Sequence, residues 1–376
     1  MLPWFTENFG NAASRSHSYG WQASEAVELA RNQVADLLKA DPKDIVFTSG
    51  STEGLNMAIK GMAESSGNIG KHIISISTEH RAVLDTVQWL GRKGYEITLL
   101  TVDHTGCIDL DSLRTSIRKD TIMVVVMWAN NETGVVYPMK EIGLICKEVD
   151  VPLISDATQA VGKIEIDPIG SEVGILTLSA HKLYGPKGVG AIYLHQKSLR
   201  VKPSALLHGG GHEHGFRSGT LNVPGIVGLG MAAMIRQNEL VEDGLRIHRL
   251  RDHFEKMMLS SLEAVSVNGS TVSRLPTVSN LKVTGIDSQA VMGRFRSKLA
   301  ISSGSACSSE DPEPSHVLLA MGLTAAESKG SFRISFGSPT TMEEVDRAAR
   351  IMKEAIDAER SQSPVWQMFK QGIDIS

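Results

Sequence analysis

Apolar residues recur at helical spacing over 23–38, at Ala26, Val27, Ala30, Val34, Leu37 and Leu38, and the pattern stops at Asp41-Pro42. This predicts an amphipathic helix ended by a turn. Short β-rich runs follow at 45–48, 72–77, 96–102, 123–128, 153–155, 175–179 and 190–194. Most are apolar throughout instead of alternating, as expected of strands covered on both faces. Helical stretches such as 55–62 fall between many of them. That alternation predicts an α/β layered sheet with mostly parallel strands. After Pro224 the texture changes. Residues 225–261 read as one long, increasingly charged helix, followed by strands at 278–283 and 331–336, a loop at 302–315 and a closing helix at 342–359. The expected division is a large domain over 11–235 and a smaller α+β domain built from 1–10 and 236–376, the latter carrying the 302–315 loop.

Composition narrows the class. A chain of 376 residues with 41% apolar and 21% charged positions is globular in character, which excludes disorder and collagen-like repetition. Lys and Arg total 38 against 42 for Asp and Glu, so electrostatics offers no basis for direct nucleic-acid binding. The 35 glycines are clustered, which points to close backbone approach or moving loops. Three scattered cysteines, Cys107, Cys146 and Cys307, make neither a disulfide framework nor a four-ligand zinc site, so a reducing compartment is expected. The longest apolar stretch, 121–129, is too short for a bilayer, and no secretory signal opens the chain. The sequence reads as soluble and cytoplasmic, without a membrane partner.

The candidate chemistry centres on Ser179-Ala180-His181-Lys182-Leu183-Tyr184-Gly185-Pro186-Lys187-Gly188. A lysine after an apolar strand, before a Gly/Pro-rich turn, suits an amine in a partly desolvated pocket, where burial frees it for covalent attachment to a carbonyl. A surface loop lysine is the bland alternative. Upstream, Ser49-Gly50-Ser51-Thr52 lies at a strand-to-helix junction, where free N–H groups and the helix dipole favour an anion. It is not a Walker motif, and an ordinary N-cap at Ser51 or Thr52 is the competing reading. Asp156 emerges at a strand end, where a carboxylate can keep a pyridine nitrogen protonated or simply cap a helix. His80, just past another strand, offers a flat ring and a titratable nitrogen, or is a polar loop residue.

Taken together, these segments closely resemble the cysteine desulfurases of the NifS/IscS type, pyridoxal-phosphate enzymes of fold type I. The resemblance runs over nearly the whole chain in seven blocks: 47–53, Thr78-Glu79-His80, Asn130-Asn131-Glu132-Thr133-Gly134, Asp156-Ala157-Thr158-Gln159, Ser179-Ala180-His181-Lys182, Arg217-Ser218-Gly219-Thr220, and Ser302-Ser303-Gly304-Ser305-Ala306-Cys307. It implies a large domain with a mostly parallel seven-stranded sheet and a smaller C-terminal domain. It implies that Lys182 holds the cofactor covalently and shuttles the substrate Cα proton, and that His80 stacks on the ring and assists that transfer. Asp156 would pair with the pyridine nitrogen and Gln159 with the phenolic oxygen. Ser51, Thr52, Ser179 and His181 would form the phosphate site, joined by Thr220 from a partner subunit in a homodimer with shared active sites. Asn131 and Arg333 would grip the carboxylate of L-cysteine, a geometry that suits a planar guanidinium.

Cys307 lies in a polar, flexible context unlike that of a core cysteine, whereas Cys107 and Cys146 read as structural. The resemblance makes Cys307 the thiolate that takes the substrate sulfur as a persulfide and passes it to an acceptor protein. His208-Gly209-Gly210-Gly211-His212-Glu213-His214 lacks His-Glu-x-x-His spacing, and its glycines suit a subunit-contact loop better than a metal site. Some features depart from the family. The numbering begins at Met1-Leu2-Pro3-Trp4, already past the point of the family's usual opening Asp/Asn-Ala-Ala-Thr-Thr strand, and Ala12 stands where a proline is usual, although His17 fits. The chain ends at Gly372-Ile373-Asp374-Ile375-Ser376 without the longer tail of housekeeping members, and Glu310-Asp311-Pro312 makes the thiol loop more acidic. These features suggest a dedicated sulfur pathway of the Dnd/Ssp type, which supplies DNA phosphorothioation. The alternatives are a housekeeping sulfur donor for iron–sulfur clusters and tRNA thiolation, a selenocysteine lyase, or a degenerate homologue that serves as a scaffold.

Overall fold

The computed structural model describes residues 1–197, 199, 201–303 and 313–373. Contacts divide the chain into two compact units, one of Met1–Leu100, Asp109–Ala129 and Tyr137–Leu240, the other of Thr101–Ile108, Asn130–Val136 and Val241–Ser376. No helix among the described residues is long and apolar enough to cross a membrane.

The first unit is built on seven strands: β1 (Ile45–Thr48), β2 (His72–Ile76), β3 (Glu96–Leu100), β4 (Thr121–Val125), β5 (Leu153–Asp156), β6 (Ile175–Ser179) and β7 (Gly190–Leu194). Their order is β1-β7-β6-β5-β4-β2-β3. Only β7 runs against its neighbours. The continuous apolar runs are explained by burial, since every residue of β1, β2 and β4 to β7 is buried, whereas edge strand β3 is largely accessible. Helices Ser51–Ser65 and Arg81–Gly91 cover the sheet, packing Leu55, Ile59, Met62, Val83 and Val87 against Val46, Ile73, Met123, Ile154 and Ile192. Such a sheet gathers the ends of its parallel strands on one rim, where α/β proteins bind ligands. Here Thr48 is level with Gly190, and Gly190 with Ser179. The close approach requires glycine: a Cβ on Gly190 would lie 2.4 Å from the Leu178 carbonyl oxygen and 2.7 Å from Gly50 Cα.

The second unit holds an antiparallel sheet of β8 (Val265–Val267), β9 (Val278–Val283), β10 (Ser302–Ser303) and β11 (Ser331–Ser335), ordered β10-β11-β9-β8. Phe254, Leu281, Phe332, Phe336, Val345, Met352 and Ile356 form its core. The chain divides differently from the expected pattern. Residues 1–10 group with the first unit, because the backbone at Gly10 touches the Tyr19 carbonyl and Met1 lies beside Gly228. Residues 130–136 group with the second, because Leu275 N–H donates to Gly134 O (2.8 Å) and Val136 N–H to Ser273 O (3.0 Å). Bonds between residues so far apart in sequence leave no trace in local periodicity. Helix Val223–Ser261 begins in the first unit and ends in the second.

Candidate active site

The anion cradle begins where β1 turns into helix Ser51–Ser65. The N-cap is Gly50, not Ser51 or Thr52; it has φ 152° and contributes no side-chain cap. A capless helix start leaves first-turn N–H groups for a ligand. Thr52 is exposed at this start, whereas Ser51 is buried and turned inward. Its N–H donates to Ser179 Oγ at 2.8 Å, and the two hydroxyls lie 3.0 Å apart. Helix start and β6 are thereby tied together on the rim.

Asp156 ends β5 with 6% exposure. It caps no helix; its Oδ1 accepts the Thr158 N–H at 3.0 Å and the Thr158 hydroxyl. This is a local turn of the kind that Asp forms with the residue two further on. The Thr158 oxygen also bonds Ser51 Oγ. Glu79, on the same rim, has no exposure, and Met127 N–H donates to its Oε1. Burial, with Asp156 repulsion second, pushes the Glu79 carboxyl well above the usual range. Two neighbouring carboxyl groups are thus held in unlike environments. His80 is the N-cap of helix Arg81–Gly91, its Nδ1 accepting Ala82 N–H at 3.1 Å. A neutral ring so placed carries its proton on Nε2. Gln159 Oε1 accepts from Lys163 Nζ, which leaves the amide NH₂ to donate.

Lys182 follows β6 in the turn Ala180–Lys182. The expected partly desolvated pocket differs from what is found in the single chain: Lys182 and His181 are both exposed, because the strand ends open onto the rim. The His181 pKa is lowered by desolvation first, then by the positive charges of Lys182, Lys187 and Lys163. The segment carrying Thr220, itself exposed, is held by two carboxylate–guanidinium clamps. Arg217 Nε meets Glu53 Oε1 at 2.8 Å. Buried Glu213 takes Arg31 at 2.9 and 2.8 Å and the Phe47 N–H at 2.7 Å. Glu213 and His214 adopt φ of 50° and 55°, a conformation costly for non-glycine residues that the clamp offsets. Glu213 thereby serves as a structural anchor of the glycine-rich loop.

In the second unit Arg333, on β11, brings Nη1 to 3.5 Å from Asn131 O and Nη2 to 3.3 Å from Ser302 Oγ. The two residues expected to grip a carboxylate are therefore together. Nearby, Ser315 donates to Glu132 and caps helix His316–Ala320. Cys307 lies outside the described residues. Cys146 is fully buried, and burial pushes its thiol up to about 12, so it is inert as a thiolate; Cys107 is half-buried.

The cradle fits a phosphorylated pyridine. A capless helix start, drawn close to β6 and β7 by the tight approach of Gly50 and Gly190, offers N–H groups for phosphate at one end. A carboxylate and a donor amide at Asp156 and Gln159 suit a ring nitrogen and a phenolic oxygen. Sequence reasoning missed Thr158, Glu79 and the Glu213–Arg31 and Arg217–Glu53 clamps as parts of the site. Asp-x-Thr is a legible turn signal, whereas the clamp partners stand far apart in sequence and nothing local pairs them.

A rim that presents an amine, a carboxylate and an anion cradle at the ends of a mostly parallel sheet is the frame of fold type I pyridoxal-phosphate enzymes. Residues 1–348 match the aminotransferase class-V family; the chain belongs to it and, within it, to the pyridoxal-phosphate-dependent cysteine desulfurases. It is 49% identical over 376 residues to cysteine desulfurase IscS of Neisseria meningitidis, covering 100% of this chain and 92% of that protein. Among solved structures it is similar to a NifS-like protein (TM-score 0.88, 32% identity, 95% of this chain and 94% of that one). It is also similar to SspA in complex with cysteine (TM-score 0.77, 36% identity, 90% and 94%).

Proposed function

We propose that the protein converts L-cysteine to L-alanine and takes the sulfur onto Cys307 as a persulfide for an acceptor protein. The observation that carries this reading is the joining of Ser51, Ser179 and Asp156 on the rim that Lys182 follows. When bound, pyridoxal phosphate supplies an aldehyde that an amine can hold and a ring that accepts the electron pair left by proton removal. Thr52, Ser179 and His181 bind its phosphate, with Thr220 of the partner subunit in a homodimer, and Ser51 braces the cradle from within. Asp156 and Gln159 would orient its ring, and His80 would offer it a flat imidazole face. Lys182 Nζ takes the Cα proton of the substrate, whose carboxylate Arg333 and Asn131 hold. The Cys307 thiolate attacks the substrate sulfur. An S–S bond forms, the C–S bond breaks, and its electron pair goes to carbon, which is then protonated to give alanine.

The acceptor has two readings, each with its own support. Likeness to SspA and the acidic 310–312 segment favour delivery to DNA phosphorothioation. Identity to IscS proteins favours delivery to a general sulfur scaffold. The scattered cysteines support a cytoplasmic setting. The test is alanine and sulfide release from L-cysteine in the presence of a thiol reductant. Lys182→Ala should lose the visible cofactor band together with turnover. Cys307→Ala should keep the band and lose turnover; full-rate conversion by Cys307→Ala would remove the nucleophile from the scheme.

A further inference from the structure

The four groups Ser179, Ser51, Thr158 and Asp156 form one continuous hydrogen-bonded chain across the rim. Its direction follows from the chemistry of the groups. A carboxylate only accepts, so the Thr158 hydroxyl spends its single proton on Asp156 Oδ1. The Thr158 oxygen then has only lone pairs to offer Ser51, and Ser51 gives it a proton. Ser51 Oγ in turn takes the proton of Ser179, 3.0 Å away. Both serines and Asp156 are less than a tenth exposed and Thr158 is half-buried, so most of the chain is shielded from water. The polarity runs from the cradle to the carboxylate. An anion arriving at the cradle competes for the Ser179 proton alone, while Ser51 and Thr158 keep their direction.

We propose that Thr158 is a positioning residue whose hydroxyl couples the anion cradle to Asp156, so that the phosphate end and the ring-nitrogen end of the site are held as one element. The inference rests on reading the site as one for pyridoxal phosphate. Thr158 touches none of the reacting atoms. It occupies Asp156 Oδ1 with two hydrogen bonds, its N–H and its hydroxyl, and thereby fixes the rotation of the carboxylate. Through Ser51 it also braces the start of helix Ser51–Ser65, where the Ser51 N–H is tied to Ser179. Its γ-methyl is not part of this chain; only the hydroxyl is.

The test compares Thr158→Val, isosteric without the hydroxyl, with Thr158→Ser, which keeps it, in the cofactor-loaded full-length protein. Two quantities are read: the dissociation constant for pyridoxal phosphate, and the pH midpoint of the bound cofactor's visible band. Thr158→Val leaves Ser51 without its acceptor and Asp156 Oδ1 held by the backbone N–H of residue 158 alone, so cofactor binding should weaken about 10-fold or more. A carboxylate turned from the ring nitrogen holds less positive charge there, and the band's midpoint should move to higher pH. Thr158→Ser should restore both. If Thr158→Val binds cofactor as the parent does with an unchanged midpoint, the coupling is refuted. If Thr158→Ser is as impaired as Thr158→Val, the residue acts through packing and the proposal is equally refuted. A parent protein that takes up no pyridoxal phosphate would instead overturn the reading of the site itself.

Discussion

Glu79 is the residue whose environment is most at odds with its charge. Its carboxyl is wholly buried, and its pKa is raised by desolvation first and by Asp156 second. Below the ordinary value of 4.5 the group is neutral both folded and unfolded. As pH rises above 4.5 only the unfolded chain releases the proton, so stability falls by about 1.4 kcal/mol per pH unit up to the folded pKa. Glu79→Gln keeps an acceptor for Met127 N–H and removes this dependence. Urea unfolding from pH 5 to 8 should show the variant gaining on the parent as pH rises; parallel curves would mean that Glu79 is ionised in the fold. Asp156 was legible from its place at a strand end, whereas Glu79 was only one letter of a matching block. Its burial depends on β4 and β5 lying alongside, which the local sequence does not encode.

At the scale of elements, strands were more legible than the loops that hold the site. β1, β6 and β7 fall where the apolar runs predict them, because a strand buried on both faces leaves a nearly unmixed apolar run. Helix Ser18–Leu38 starts before the predicted 23, since His17 caps it through Nδ1 from Gly20 N–H at 3.2 Å. The glycine-rich loop was legible only as a loop. What shapes it is Glu213, which reaches Arg31 across 182 residues of sequence. Removing one partner of a buried ion pair leaves the other uncompensated, so Glu213→Ala should cost about 3–5 kcal/mol in chemical denaturation. A loss below about 1 kcal/mol would mean that the strained backbone at Glu213 and His214 is held by something else.

For the whole molecule, the proposed homodimer with shared sites makes a sharp expectation about mixtures. Lys182→Ala retains its own Thr220, and a Thr220→Ala chain retains its own Lys182. Random pairing makes half of the dimers mixed, and each mixed dimer holds one native site of two. Two feeble preparations, unfolded and refolded together with cofactor, should therefore recover about a quarter of parental activity. Mixtures no more active than the average of their components would place Thr220 and Lys182 in the same subunit's site.

The sequence alone determined the sheet, its mostly parallel strands and the kinds of chemical group at their ends. These follow from short-range rules: apolar periodicity, turn residues and blocks whose spacing survives along the chain. Tertiary structure alone decided which of those groups touch. Thr158 joins Asp156 to Ser51, Lys163 turns Gln159, and residues 1–10 and 130–136 pack away from where their neighbours in sequence suggested. The physical reason is that hydrogen-bond partnership and burial depend on separation in space. In a sheet whose strand order departs from chain order, residues more than a hundred positions apart stand side by side.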